Sequence, residues 1–279
     1  MVLARPRTVD QVLEAMAATP DALLLGGGTD LMVGVNAGHP LPERVVALRR
    51  VDELAEVAAT GQGHDLGAGL TWRALEVRLA QAHPALAAAA RSVGSPQVRN
   101  AGTLGGNLGT ASVTGSTLPV LAALDAKVVL ASATGSRAVP IAEFLRGPGD
   151  VDRRPGELIV AVRVARVRGP QQFLKVGLRA SVITAVVQCG LVLDLDRREV
   201  RCGLGAVGPA PVRPAAAEGF AAEAIDWHRL RAEPGVARRF GELAAESVDP
   251  PADLHAPAAY RRHAVRVLAE RALTRSLAA

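Results

Sequence analysis

The sequence predicts an α+β protein with more than one domain. Short apolar runs of strand length alternate with longer stretches of helical periodicity, and the polar break Arg168-Gly169-Pro170 divides the chain of 279 residues. This length suits one large domain or two to three smaller ones. Hydrophobic residues make up 49% of the chain and charged residues 21%, which allows a substantial core and excludes a disordered chain.

The beginning of the chain predicts one helix and two strands. Thr8 is a suitable N-cap because Gln11 stands three residues later, in the spacing of a capping box, and apolar residues follow at helical intervals. The short apolar runs at residues 22–25 and 45–48 are typical of buried strands.

The middle of the chain predicts strands and helices in alternation. Thr71 is expected to cap a helix that ends at Pro84, because proline cannot continue a helix interior. The other predicted elements are strands at 65–70, 126–131 and 158–164, helices at 85–90 and 119–124, and glycine-rich loops at 93–114 and 146–156.

The last part of the chain, after a linker at residues 166–171, predicts a second mixed unit. Its predicted elements are strands at 181–195 and 201–207 and helices at 213–224, 236–247 and 257–278. The sequence contains no repeat of the solenoid type.

The net charge of +5 does not by itself indicate nucleic-acid binding. Lys127 and Lys175 are the only lysines, and the arginines are spread along the chain. The start of the chain lacks the long apolar core of a signal peptide, and no run approaches the roughly eighteen apolar residues of a membrane span. We therefore expect a soluble, cytoplasmic protein.

Cysteine and histidine usage argues against a metal site in this chain. Cys189 and Cys202 are the only cysteines, and no C-x-x-C pair is present. The chain therefore cannot hold an iron–sulfur cluster alone, since such a cluster usually needs four thiolates, and it has no zinc pattern. We interpret both cysteines as buried apolar residues. The histidines show no ligand spacing and no nucleophile triad, so we predict no catalytic residue and no metal site.

Two glycine-rich loops carry the strongest functional signal. The first glycine loop is Gly26-Gly27-Gly28-Thr29-Asp30, and the second glycine loop is Gly102-Thr103-Leu104-Gly105-Gly106-Asn107. Glycine lets backbone N–H groups approach a phosphate, because no Cβ intervenes, and successive N–H groups form a concavity that binds anions. A single loop of this kind is more often a tight turn, but two in one chain favour a ligand that contains phosphate.

The pattern around both glycine loops favours a dinucleotide bound outside a Rossmann fold. Neither loop is followed by the Gly-Lys-Ser/Thr of a P-loop. Neither shows G-x-G-x-x-G at the start of a helix with an acidic residue about twenty positions later. Two loops could hold the single pyrophosphate of a dinucleotide from both sides.

At these residues the chain resembles the FAD-binding (medium) subunit of the molybdenum hydroxylases, which include carbon monoxide dehydrogenase, xanthine dehydrogenase and aldehyde oxidase. Residues 24–32 and 98–107 are similar to the two FAD loops of this family. Pro155-Gly156-Glu157-Leu158-Ile159 is similar to its strand that passes the flavin ring, and residues 173–179 resemble its segment with a flavin-contacting lysine.

The resemblance continues to the end of the chain and implies the overall organisation. Residues 205–213 and 253–263 are similar to motifs of the family's C-terminal domain. The implied fold is a p-cresol-methylhydroxylase-type FAD-binding fold in two subdomains, expected at residues 1–55 and 56–168, plus a C-terminal α+β domain at 171–279.

The resemblance also implies partners and an activity. The partners would be a small subunit with two [2Fe–2S] clusters and a large molybdopterin subunit, in a heterotrimer or its dimer. Substrate would be oxidised at molybdenum, and its electrons would cross the clusters to FAD in this chain. From FAD they would pass to an external acceptor such as NAD⁺, a quinone or oxygen, so we expect an oxidoreductase subunit.

The residues expected to bind FAD follow from the same resemblance. The two glycine loops would hold the pyrophosphate, while Thr110 and Ser116 would lie near the ribityl or adenosine part. Ile159 would pack on the isoalloxazine ring, and Lys175 would place a positive charge near it. The expected set is Leu25, Gly26, Gly27, Gly28, Thr29, Asp30, Leu31, Thr103, Leu104, Gly105, Gly106, Asn107, Thr110, Ser116, Ile159 and Lys175.

Two departures from the family pattern lie near these residues. Ser116 stands where the family has an aspartate, so it can donate and accept a hydrogen bond but carries no charge. We expect this difference to affect the affinity for FAD or the potential of the flavin. Gly147-Pro148-Gly149-Asp150 replaces the family's Gly-Tyr-Arg-x-Thr turn. Two other functions stay open: a flavin-free scaffold or partner-binding member of the same fold, and a stand-alone flavoprotein oxidase.

Overall fold

The first fifty residues form a small parallel sheet with two helices. The computed structural model of the chain describes residues 2–179 and 184–277. The two edge strands, β1 and β2, both pair in parallel with the central strand β3. The elements in chain order are β1 (Val2–Ala4), α1 (Val9–Ala18), β2 (Leu23–Leu25), α2 (Thr29–Asn36) and β3 (Arg44–Ala47). The predicted cap of α1 is confirmed, since the Thr8 side chain accepts a hydrogen bond from the N–H of Gln11.

The second part of the chain forms a five-stranded antiparallel sheet in the order β4-β5-β10-β6-β7. Two short 3₁₀ turns lead into it, and five helices lie between β5 and β6. Its elements are β4 (Val57–Thr60), β5 (Gly63–Gly67), α3 (Trp72–Arg78), α4 (Pro84–Arg91), α5 (Pro96–Ala101), α6 (Leu104–Thr110), α7 (Leu118–Ala123), β6 (Lys127–Ser132), β7 (Gly135–Pro140), α8 (Ile141–Phe144), β8 (Leu145–Gly147), β9 (Asp150–Val151) and β10 (Leu158–Ala165).

Two predictions for this part are wrong. Pro84 does not end a helix; α3 already ends at Arg78, and Pro84 begins α4, where its missing N–H has no consequence. Residues 93–114 are not a loop, because Ser95 and Thr103 each cap a helix through the side chain. Glycine has a low helix propensity, so the glycines of α6 conceal that helix in the sequence.

The C-terminal part forms a three-stranded antiparallel meander covered by helices. Its elements are β11 (Gln171–Gly177), β12 (Ala185–Asp194), β13 (Glu199–Gly205), α9 (Ala215–Ala224), β14 (Ile225–Asp226), β15 (Arg231–Ala232), α10 (Val236–Glu246) and α11 (Ala258–Leu277). The predicted strand at 181–195 begins at Ala185; residues 181–183 lie outside the described residues, as does residue 278 of the last predicted helix. Both cysteines are buried here, as predicted.

Helix α7 connects the part with the five-stranded sheet to the C-terminal part, because it packs directly on the C-terminal sheet. Gly190 and Gly203 are cross-strand partners on β12 and β13. A Cβ on Gly203 would lie 1.9 Å from the carbonyl oxygen of Pro119 in α7, so only glycine permits this contact. Asp125, just after α7, accepts hydrogen bonds from Arg201 and from a second arginine of the C-terminal part. These contacts orient the segment immediately before α7, which contains Ser116.

Two hydrophobic cores correspond to this arrangement. One serves both N-terminal sheets and their helices, and the other lies between the C-terminal sheet and α9, α10 and α11. In the described part of the chain, no helix combines the length and apolar character needed to cross a membrane.

Candidate functional site

The first glycine loop presents a row of unpaired backbone N–H groups. Among the described residues, no protein acceptor exists for the N–H groups of residues 26–31; the first such bond of α2 runs from the N–H of Met32 to the carbonyl of Gly28, at 3.0 Å. Gly28 has φ 69°, a left-handed conformation that costs glycine little and that turns the chain into α2. All six residues are at least partly exposed. Unpaired N–H groups at a helix N-terminus form an anion site.

The second glycine loop uses its N–H groups inside the protein. The N–H of Leu104 donates to the carbonyl of Leu70 at 2.9 Å, and the N–H of Gly105 donates to that of Ala68 at 2.7 Å. The N–H of Gly106 is bound by the capping side chain of Thr103. Leu104 is fully buried. The two loops are therefore not equivalent: the first offers free N–H groups, while the second is anchored to the end of β5.

The glycines at the contact between the loops are required by the protein itself. A Cβ on Gly27 would lie 1.9 Å from the carbonyl oxygen of Ala101, and a Cβ on Gly26 would lie 2.7 Å from Oγ1 of Thr103. The two loops thus pack backbone against backbone. A polar contact links the first loop to α6 as well, because Oγ1 of Thr110, which is 2.7 Å from the carbonyl oxygen of Gly106, lies 3.2 Å from Oδ2 of Asp30. Sequence reasoning placed these residues at one site, and the fold brings them together.

Gly109 in α6 leaves open space that no protein group requires. A Cβ on Gly109 would have one neighbour within 4 Å, Cδ1 of Ile159 at 3.9 Å. Gly109 is exposed, and Ile159 on β10 is 7% exposed. The turn that departs from the family pattern also reaches this place, since the N–H of Gly149 donates to the carbonyl of Thr110 at 3.1 Å. A flat ligand could lie against α6 beside Ile159 without meeting a side chain from Gly109.

Lys175 and Ser116, two further predicted site residues, contact each other. Nζ of Lys175 donates to Oγ of Ser116 at 3.2 Å and to the carbonyl of Ser92 at 3.3 Å. Among the described residues Lys175 forms no ion pair with a carboxylate. Burial lowers the pKa of Lys175 from its ordinary value, because desolvation disfavours the ammonium form. This cation therefore has only neutral partners.

A short hydrogen-bond chain connects this pair to the second glycine loop. Ser116 is 4% exposed, and the next residue, Thr117, is fully buried and donates through Oγ1 to Oδ1 of Asn107 at 2.8 Å. Sequence reasoning did not identify Ser92, Thr117 or Gly109. A glycine in a helix was a detectable signal for Gly109. No local signal exists for Ser92, whose contribution is a backbone carbonyl.

Comparison with known proteins matches the N-terminal and C-terminal portions of the chain to two known domain families. Residues 1–166 match the family of the FAD binding domain in molybdopterin dehydrogenase, and residues 172–276 match the CO dehydrogenase flavoprotein C-terminal domain. The chain belongs to this flavoprotein family.

Individual members of the family are similar over most or all of the chain. The putative xanthine dehydrogenase FAD-binding subunit XdhB of Escherichia coli K12 is 27% identical over 99% of this chain and 95% of its own length. The nicotinate dehydrogenase FAD-subunit of Eubacterium barkeri is 32% identical over 68% of each chain. The crystal structure of quinoline 2-oxidoreductase from Pseudomonas putida 86 superposes with a TM-score of 0.89, at 25% identity over 99% of this chain and 96% of that one.

These matches confirm the predicted family, fold class, enzyme class and cofactor. The chain is an FAD-binding subunit of the molybdenum hydroxylase type, and thus part of an oxidoreductase. The site described above suits FAD, because unpaired N–H groups in the first glycine loop match a pyrophosphate and the open space beside Gly109 and Ile159 matches a flat ring system.

Proposed function

We propose that this chain transfers electrons within a multi-subunit molybdenum hydroxylase. In this proposal, a small partner subunit with two [2Fe–2S] clusters delivers the electrons, a large molybdopterin subunit oxidises the substrate, and an external acceptor takes the electrons from this chain. The relatives described above are named as subunits, which supports an assembly. Within the described residues no cluster of potential ligands could hold a metal ion.

The residues of the two loops would have different tasks in binding FAD. The N–H groups of residues 26–31 would receive the pyrophosphate, because they are the unpaired ones. The second glycine loop would position the first loop and Thr110, while Ile159 would support the ring. Bound FAD would supply the redox chemistry that links one-electron clusters to an external acceptor.

Lys175 would act on the flavin through its charge. Its ammonium group has two neutral oxygen partners and is half-buried, so little of its field is cancelled by a counter-charge. Such a cation stabilises a ligand that gains negative charge on reduction. Ser116 would orient the ammonium group without neutralising it.

The domain boundaries remain part of this proposal. We place the two FAD-binding subdomains at residues 1–55 and 56–168 and the C-terminal domain at 171–279. The three larger sheets, whose last strands end at residues 47, 165 and 205, support this division. Lys175 would then reach into the FAD-binding half from the C-terminal domain.

The test is isolation of the tagged full-length chain from its native host, together with the chains that bind to it there. We expect stoichiometric FAD in the extract of the denatured sample, iron and molybdenum in the intact complex, and two co-purifying chains. A chain that carries no flavin and takes up none would refute the proposal and support the flavin-free scaffold. A monomer that holds flavin and is reduced directly by a small substrate would instead indicate a stand-alone oxidase.

The role of Lys175 has a matched control within the chain. Lys175→Met should lower the midpoint potential of the bound flavin and weaken its sulfite adduct, because both reduction and sulfite addition place negative charge on the ring. Lys127→Met removes the only other lysine, an exposed residue of β6, and should leave both quantities unchanged. Equal behaviour of the two variants would contradict the proposed role.

A further inference from the structure

A cavity of about 360 Å³ lies between two hairpin tips of the C-terminal domain. One tip connects β12 to β13, and the other connects β14 to β15. The cavity is lined by Arg168, Leu195, Arg198, Trp227, His228 and Leu230. It adjoins the start of β11, whereas Lys175 lies further along that strand beside the proposed FAD site. The cavity is therefore separate from the flavin site.

At each hairpin tip, one residue that lines this cavity has a left-handed backbone conformation. Arg198 has φ 56° and Leu230 has φ 52°. Residues other than glycine adopt this conformation at an energetic cost, and such residues occur preferentially at functional sites. Both residues line the same cavity, although they belong to different hairpins. Neither position has been filled by glycine, which would relieve the strain.

The polar side of the cavity carries an excess of positive charge. Among the described residues, the guanidinium group of Arg198 forms neither an ion pair nor a hydrogen bond. Arg168 directs two nitrogen atoms to a single oxygen, Oδ1 of Asp196, at 2.6 and 2.9 Å. The ring of His228 is free of hydrogen bonds in this part of the chain, since only its backbone N–H is bound, by Asp226. The described residues of the cavity lining thus include two arginines and an imidazole but no carboxylate, while Asp196 pairs with Arg168 and Asp226 lies next to His228.

One side of the cavity is apolar and includes a flat ring. Nε1 of Trp227 donates to the carbonyl of Ala222 at 2.9 Å, which fixes the indole in place. Leu195 and Leu230 complete this side. A fixed indole next to aliphatic side chains suits an aromatic ring, which can stack or pack edge to face.

We propose that this cavity binds a small aromatic phosphate of about the size of a nucleoside monophosphate. Its volume is at the lower end of the range for small-molecule sites. The aromatic ring would pack on Trp227, and the phosphate would be bound by Arg198, Arg168 and His228. A phosphate monoester, with a charge of about −2 and several acceptor oxygens, matches these donors better than a singly charged carboxylate. The site is independent of FAD and of the proposed electron transfer.

The test is a titration of the full-length holoprotein with AMP, in which calorimetry and tryptophan fluorescence both measure binding. The chain has two tryptophans, and Trp72 is 5% exposed, so the partly exposed Trp227 is expected to report the binding. We expect saturable binding of AMP, with adenosine and inorganic phosphate each at least about tenfold weaker. Trp227→Phe should abolish the optical signal.

Variants of Arg198 separate ligand binding from folding. Arg198→Gln should weaken AMP at least about tenfold, whereas Arg229→Gln, on the same hairpin as Trp227 but outside the cavity lining, should not. Arg198→Gly should also lose AMP binding while raising the unfolding temperature, because glycine removes the left-handed strain. Absence of heat and of an emission change up to about 10 mM AMP, or unchanged affinity in Arg198→Gln, would overturn the proposal. The FAD content of each variant is measured in parallel and should be unchanged.

Discussion

Replacement of Gly109 by alanine tests whether the open space beside Ile159 belongs to the cofactor. Without ligand the new methyl group meets one atom, Cδ1 of Ile159, at an ordinary contact distance of 3.9 Å. Because Gly109 lies within α6, alanine should stabilise the apoprotein by about 0.5–1 kcal/mol. For a chain of this size, that gain raises the unfolding temperature by roughly 1–4 °C.

The same methyl group should oppose FAD binding. If the ring system lies against α6, the methyl occupies space that the ligand needs, and overpacking of this kind costs about 1–3 kcal/mol. The dissociation constant for FAD should therefore rise by roughly 5- to 150-fold. A more stable apoprotein that binds its cofactor less tightly is an outcome that a purely structural role of Gly109 does not produce.

Gly27→Ala serves as the contrasting variant in the same assay. Its Cβ would lie 1.9 Å from the carbonyl oxygen of Ala101, so the two glycine loops must separate by about 1 Å or more. Stability and FAD affinity should fall together in this variant.

The assay strips the flavin, follows thermal unfolding of each apoprotein, and titrates FAD by quenching of its fluorescence. An unchanged dissociation constant in Gly109→Ala would show that the ligand does not occupy this space. The proposed position of the flavin ring against α6 would then be wrong, while the family of the chain would be unaffected.

Three further predictions concern stability. Gly203→Ala places a Cβ 1.9 Å from a backbone oxygen of α7 and should lower the free energy of unfolding by about 1–3 kcal/mol through overpacking. Gly219→Ala, in open space on α9, should slightly raise the unfolding temperature. A loss of stability below about 1 kcal/mol in Gly203→Ala would contradict the close contact. Burial and a neighbouring histidine lower the pKa of His83 from 6.5 to about 4, so the folded state binds fewer protons than the unfolded state. The free energy of unfolding, measured with urea, should therefore fall by about 2 kcal/mol from pH 7 to pH 5. His83→Leu should remove this difference, and an unchanged pH dependence in that variant would exclude His83 as its source. Asp125→Asn removes the carboxylate shared by two arginines, and the Asp125 side chain is 55% exposed. Because exposed ion pairs contribute little, the midpoint of urea unfolding should fall by the equivalent of only about 1 kcal/mol. An unchanged midpoint would show that these ion pairs do not contribute to stability.

Local sequence signals predicted the parts of the fold that depend on neighbouring residues. The caps at Thr8 and Thr71 form as expected, because a side-chain oxygen and an N–H three residues later are close in any helix start. Most predicted strands and helices also lie close to their expected positions, because they too depend on patterns of neighbouring residues. One error occurred at Pro84, which was taken as the end of a helix although it begins α4. The other occurred in residues 93–114, which were taken as a loop although Ser95 and Thr103 cap helices there.

The sequence also indicated the family and cofactor, through the resemblance of the two glycine loops and of later segments to known FAD-binding subunits. It indicated that this chain alone has too few cysteines for an iron–sulfur cluster. These conclusions depend on residue identity and spacing and need no information about packing.

The different hydrogen bonding of the two loops became visible only in the tertiary structure. Both contain glycines after apolar segments, yet only the first keeps its N–H groups unpaired, because the second bonds to residues 68 and 70 at the end of β5. The meeting of Lys175 with Ser116 and Ser92 likewise joins segments more than fifty residues apart in sequence. Contacts of this kind depend on how helices and sheets pack against one another, since a residue's type does not encode which distant partner the fold brings to it.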